Sequence, residues 1–217
     1  ANMIVHLPIG LLESNCYLIV APASDPARRA EAALVDPGVQ DISQLMDKIH
    51  EHGTGVRYIL NTHGHFDHIA ANGRLELPGA LLGIHPADRP LLLSGGGADL
   101  FGMPYVPSPY PTLDLNDGDT LLLGNDLRIE ILHTPGHTPG VFSFFWNAIG
   151  DDGKTVRAGT MGGAGLNTMA SSYIRKYHLE EEDWRGAFAK SLERCRQEKV
   201  ELFIGNHASQ NQTQQRY

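Results

Sequence analysis

The 217 residues predict a layered α/β fold, and three observations carry that expectation. Short β-prone runs flank a helical one in the order strand, helix, strand, which builds half of a layered α/β unit. Polar, chemistry-bearing clusters fall directly after predicted strands, at 61–68, 133–140 and 205–207. Hydrophobic residues make up 41% and charged residues 19%, with 24 Gly and 13 Pro, a globular and loop-rich composition. A chain of this size buries a full core and approaches the upper size of one domain, so residues 1–217 are expected to form a single domain.

Ile4 to His6 and Cys16 to Val20 predict a hairpin across Glu13-Ser14-Asn15. Ala32 to Val35 is the next strand, and it ends at Asp36-Pro37-Gly38. That tripeptide reads first as a turn, with Asp36 as a carboxylate behind a metal loop the alternative. Ile42, Leu45, Met46 and Ile49 recur at helical spacing, and Gly53 is placed to cap the helix. Val56 to Leu60 is the strand that delivers the chain to residue 61. Ala70-Ala71-Asn72-Gly73 is expected to begin a short helix and Ala80 to Ile84 a strand, after which His85, beside a proline turn, reads as structural rather than as a ligand. Residues 91–111 hold three consecutive glycines with Leu100, Phe101 and Met103, a candidate lid or an inert surface loop.

Further on, Thr120 to Leu123 and Leu127 to Leu132 form a hairpin around Gly124-Asn125. Val141 to Trp146 and Thr155 to Ala158 are strands, and Glu201 to Ile204 is the last. Trp184, Phe188, Leu192 and Cys195 mark the core face of a helix that starts near Glu180.

Composition narrows the function. A net charge of -8 lacks the basic footprint that phosphate backbones demand, so nucleic acid is not the expected partner; a small-molecule substrate is. No apolar stretch approaches the ~18 residues of a membrane span, and a cytoplasmic location is expected. A processed N-terminus would look the same in an exported protein. Two cysteines far apart, Cys16 and Cys195, make no disulfide framework.

The chemistry concentrates at Asn61-Thr62-His63-Gly64-His65-Phe66-Asp67-His68. Neutral imidazoles with an anionic oxygen are the set that borderline cations such as zinc prefer, so a metal site just past a strand is expected. A second cluster, His133-Thr134-Pro135-Gly136-His137-Thr138-Pro139-Gly140, is fixed by Pro and Gly on both sides. His137 is its better ligand, with His133 packing or hydrogen-bonding nearby. His207 follows the final strand.

Together, His63-x-His65-x-Asp67-His68, the His137 loop and His207 closely resemble the metallo-β-lactamase superfamily over nearly the whole chain. The resemblance implies a four-layer αββα sandwich with a zinc site, usually dinuclear, along one edge of two packed sheets. It implies that His63, His65 and His137 hold a first metal and Asp67, His68 and His207 a second, with iron or manganese as substitutes for zinc. Asn15-Cys16-Tyr17-Leu18-Ile19, the 36–38 turn and Leu100-Phe101-Gly102 look most like small glyoxalase II-like hydrolases, which cleave thioesters such as hydroxyacylglutathione. Those members carry a metal-bridging Asp in a Gly-Asp pair, where this sequence has Gly159-Thr160. A set without that carboxylate is similar to the lactamase subclass whose second zinc uses Asp, His and His, and Gly162 to Asn167 and Asn206-His207-Ala208 look nearer to it.

The expected activity is therefore metal-assisted hydrolysis of an ester or thioester, by a hydroxide that two zincs generate and Asp67 orients. β-Lactam hydrolysis is the alternative, and a metal-binding protein with little catalysis a third reading. Asn167 and Tyr173 would contact substrate or its oxyanion, or else cap and pack their loop.

Overall fold

Two sheets face one another, and alternation along their strands decides which side chains meet. The structure is a computed structural model that describes residues 3–7, 10–11, 14–23, 25–149, 152–162 and 184–203. The first sheet is ordered β1 (Met3–His6), β2 (Tyr17–Ala21), β3 (Glu31–Val35), β4 (Gly55–Leu60), β5 (Leu81–Ile84) and β6 (Leu113–Asp114). β1, β2 and β3 pair antiparallel, and β3 to β6 pair parallel. The second sheet is ordered β11 (Leu202–Phe203), β10 (Thr155–Thr160), β9 (Phe142–Ile149), β8 (Leu127–His133) and β7 (Thr120–Leu123).

Odd and even positions of β2 go to opposite cores, as a period of two requires. Tyr17, Ile19 and Ala21 join Val35, Leu60, Ile129, Ile131, Phe142, Phe144 and Trp146 between the sheets. Leu18 and Val20 join Ala32, Leu34, Ile59 and Leu82 on the other face, where α1 (Ile42–Glu51) buries Leu45 and Ile49. α1 starts because the Asp41 carboxylate accepts the Gln44 amide, and it stops at Gly53, whose φ of 59 the absent Cβ permits.

The fourth layer is α4 (Trp184–Arg196), α2 and α3 being short segments introduced below. Cys195 Sγ lies 3.7 Å from Ser143 Oγ on the outer face of β9, and the Ser191 hydroxyl donates to Pro135 O at 2.8 Å. The expected stripe holds in part: Phe188 and Cys195 are half-buried, whereas Leu192 is 37% exposed and the adjacent Ser191 is buried in its place. The expected start near Glu180 lies outside the described residues. Among the described residues, no helix is long and apolar enough to cross a membrane.

Parallel pairing of β3, β4 and β5 brings their C-terminal ends to one edge. Asp36, Asn61 and His85 are the next residues after them, and the ladder runs on through Asp36 N to Leu60 O and Asn61 N to Gly83 O. The second sheet presents its matching edge: His133 at the end of β8 pairs with Phe142, and Thr160 at the end of β10 pairs with Phe144. The backbone hydrogen bond from Phe142 N to Thr62 O at 3.0 Å links the two edges directly.

Candidate metal centre

His63 and His65 leave β4 on a short loop, and the next residues wind into α2 (Phe66–Ile69), with His65 as its extended N-cap. This corrects the expected helix at Ala70: the helix begins four residues earlier and carries Asp67 and His68. What fixes its position is the turn at 36–38. Pro37 O accepts the Ala71 amide, and Gly38 lies so close that a Cβ there would stand 1.6 Å from Asp67 O. The Ser14 hydroxyl donates to that same Asp67 carbonyl at 2.6 Å. His137 arrives from the other sheet on a loop whose Gly136 takes φ 146, where a Cβ would stand 2.6 Å from Phe188 Cβ on α4.

Three imidazoles converge from these two loops. One ligand nitrogen each of His63, His65 and His137 lies within 4.8 Å of the others, and His65 Nδ1 is 3.1 Å from His137 Nε2. Nitrogens bound tetrahedrally to one zinc at ~2.0–2.1 Å are about 3.3 Å apart, so this donor set fits a single borderline cation. Burial first, and His137 beside it, pull the His65 imidazole down to about 3, which keeps it in the neutral form a metal requires.

A second group adjoins the first. The His68 ring is 4.3 Å from that of His63, with His68 Nε2 3.2 Å from Asp67 Oδ2 and Nδ1 2.9 Å from Asp36 Oδ2. Burial by itself lowers the His68 imidazole, but the Asp67 and Asp36 carboxylates outweigh it and hold it up at about 10. Asp36 also accepts the Thr62 amide at 2.8 Å and its hydroxyl at 2.7 Å, and Thr62 Oγ1 lies 3.1 Å from His63 Nδ1. The turn reading of 36–38 is therefore incomplete. Asp36 turns the chain at φ 49 and orients histidines at the same time.

The structure thus brings together His63, His65, Asp67, His68 and His137. His207, Asn167 and Tyr173 lie outside the described residues. Thr160 is buried on the last rung of β10, and two residues on, a Cβ at Gly162 would stand 3.1 Å from Thr62 Cβ, so this strand end faces the same edge. His133 packs as expected: its ring stacks on His85 at 4.0 Å and its Nε2 lies 2.8 Å from Pro139 O. His85 Nδ1 in turn accepts the Ala87 amide at 3.1 Å.

The residue that sequence reasoning passed over is Asp88. It is fully buried, and it accepts hydrogen bonds from the Gly64 amide, the Thr138 hydroxyl and the Gly140 amide. Its position just past β5, the parallel neighbour of the strand leading to His63, was the available signal. The 91–111 segment, read as a candidate lid or an inert surface loop, carries some regular structure. It contains the end of α3 (Arg89–Leu93) and a 3-10 turn, Ala98–Phe101, and a Cβ at Gly96 would stand 2.5 Å from Phe66 N. Phe101, though 60% exposed, packs on Phe66 at 5.0 Å, beside His65.

Residues 9–204 match the family model of the metallo-beta-lactamase superfamily. The chain belongs to that superfamily. An uncharacterized protein of Aquifex aeolicus is 32% identical over 139 residues, 62% of this chain and 61% of that protein. The hydroxyacylglutathione hydrolase GloC of Haemophilus influenzae is 31% identical over 141 residues, 64% of this chain and 63% of that protein. The chain thus spans less than two thirds of the length of these two relatives. Among solved structures, the class B3 di-zinc metallo-beta-lactamase LRA-12 from an Alaskan soil metagenome superposes with a TM-score of 0.73 at 23% identity, covering 100% of this chain and 80% of that one. That likeness bears out the αββα fold. Hydrolases are among the proteins similar to this chain.

Proposed function

We propose that this metallo-β-lactamase superfamily member hydrolyses an ester or thioester of a small molecule, using two zinc ions at the sheet edge. The observation that carries the reading is the convergence of the His63, His65 and His137 nitrogens within 4.8 Å across two sheets. When bound, zinc supplies a Lewis acid for the carbonyl and lowers the pKa of water toward neutrality.

The chain's own groups do the rest. His63, His65 and His137 hold the first ion. Asp67 and His68, the imidazole giving up its Nε2 proton when the ion binds, would hold the second with His207. The Asp67 carboxylate, beside His68 Nε2, orients the attacking water and accepts its proton at an Oδ atom. Asp36 fixes the His68 ring through Nδ1, so Nε2 is the nitrogen left facing Asp67.

The hydroxyacylglutathione hydrolase relative supports the thioester. A second reading, β-lactam hydrolysis, is favoured by Thr160, a neutral hydroxyl at the end of β10 where glyoxalase II-like members would have a bridging carboxylate. Turnover of an acyl-glutathione against a carbapenem, with zinc added, separates the two. Hydrolysis of neither, nor of any wider ester panel, by the zinc-loaded protein would sink the hydrolase proposal.

A further inference from the structure

The Asp88 carboxylate has three hydrogen-bond donors, and all three belong to the loops that carry the imidazoles. Oδ2 accepts from the Gly64 amide at 2.8 Å and the Thr138 hydroxyl at 2.7 Å, and Oδ1 accepts from the Gly140 amide at 2.6 Å. Gly64 lies between His63 and His65, and Thr138 follows His137. One loop leaves the first sheet and the other belongs to the second. A single buried carboxylate therefore spans the junction between them.

The surrounding sequence is shaped for this approach. A Cβ on Gly140 would stand 2.6 Å from Asp88 N and 2.8 Å from its Cβ, and a Cβ on Gly64 would stand 3.1 Å from Asp88 O. Asp88 is itself held by the turn Pro86–Asp88, its amide donating to His85 O at 3.0 Å. Burying a carboxylate is costly unless donors surround it, and a group that merely joined core elements would serve equally well as an apolar contact. Charge-assisted bonds at these lengths instead fix the spacing of the groups they join.

We infer that Asp88 is a positioning residue for the metal centre, a brace that sets the His63/His65 loop against the His137 loop. The inference rests on the proposed function only in taking those three imidazoles as ligands. Asp88 touches neither metal nor substrate; it acts through the two loops.

The test is cobalt(II) titration of the metal-free full chain in wild type, Asp88→Asn and Thr138→Val. It is read by visible d–d absorption and chelator competition, with circular dichroism for folding. Asp88→Asn keeps the shape but turns an amide NH2 toward a donor. Thr138→Val removes one donor and no charge, and so covers the case in which Asp88→Asn does not fold. The expected result is about 10–100-fold weaker cobalt binding with an altered absorption envelope in Asp88→Asn, and a smaller change of the same kind in Thr138→Val. Lower melting temperatures with wild-type cobalt affinity and spectrum in the folded variants would overturn the inference and leave the metal site standing. If Asp88→Asn does not fold, an altered spectrum in Thr138→Val supports the brace and an unaltered one overturns it. Wild-type protein that takes up no cobalt would remove the metal centre and the brace with it.

Discussion

Asp36 is the residue whose replacement should cost most for the fewest atoms. Its carboxylate is 2% exposed and meets the Thr62 amide, the Thr62 hydroxyl and His68 Nδ1 at 2.7–2.9 Å. Asp36→Ala leaves the His68 imidazolium and two Thr62 donors buried. Breaking a buried pair from one side costs about 3–5 kcal/mol, and the φ of 49 adds ~1 kcal/mol for a residue without a local polar side chain. Asp36→Asn tolerates that φ and keeps one acceptor, so about 1–3 kcal/mol is expected. Urea unfolding of the metal-free protein measures both, with the order wild type, Asn, Ala. The pH profile adds a second check. His68 is held near 10 in the folded protein, above the 6.5 of an unperturbed imidazole, so its contribution is complete below about 6.5 and is lost as pH rises through about 10. Removing Asp36 should flatten that alkaline loss. An Asp36→Ala protein that unfolds within ~1 kcal/mol of wild type, with an unchanged alkaline limb, would refute the reasoning.

Asp67→Ala should abolish turnover while the circular dichroism spectrum is retained, with the exposed Glu76→Ala as a nearly silent comparison; near wild-type rates at full zinc loading would rule out the assigned role. Thr160→Asp should tighten the weaker zinc, each tenfold corresponding to about 1.4 kcal/mol, and chelator competition showing equal or weaker affinity would mean that position 160 does not meet the metals. Burial, with His133 stacked on it, lowers the His85 imidazole to about 4, so the folded state loses stability as pH falls from about 6.5 through about 4. His85→Asn, which keeps an acceptor for the Ala87 amide, should flatten that acid limb in thermal melts, and an unchanged limb would reject the assignment.

The first loop was legible because four ligand-type side chains crowd one strand end, a local signal that needs no tertiary context. His137 was legible for the same reason, its loop being fixed by Pro and Gly. The other strands of both sheets were found within a few residues, since alternation and turn residues mark them, although β9 runs to Ile149 rather than Trp146; the two-residue β6, Leu113–Asp114, is too short to show alternation and was missed. What sequence could not show was reach across space. Asp36 reads first as a turn because Pro37-Gly38 explains one, and its hydrogen bonds to Thr62 and His68 favour the alternative, a carboxylate behind the metal loop. Asp88 was passed over because its three partners are 24, 50 and 52 residues away. α2 was displaced by four residues because its start is set by the docking of Asp67 O on Gly38 and Ser14, not by propensity. Leu192 fits the core face by periodicity, but it is the neighbouring Ser191 that is buried, its hydroxyl bonded to Pro135 O.

The central claim, that His63, His65 and His137 hold a transition metal, is tested most directly by elemental analysis of zinc-reconstituted protein after exhaustive removal of free metal. Wild type is expected to retain at least one zinc per chain and up to two, and a variant with His63, His65 and His137 replaced by alanine, folded by circular dichroism, to lose the ion of that site. Wild-type protein that retains no transition metal, or a triple variant that retains as much as wild type, would contradict it.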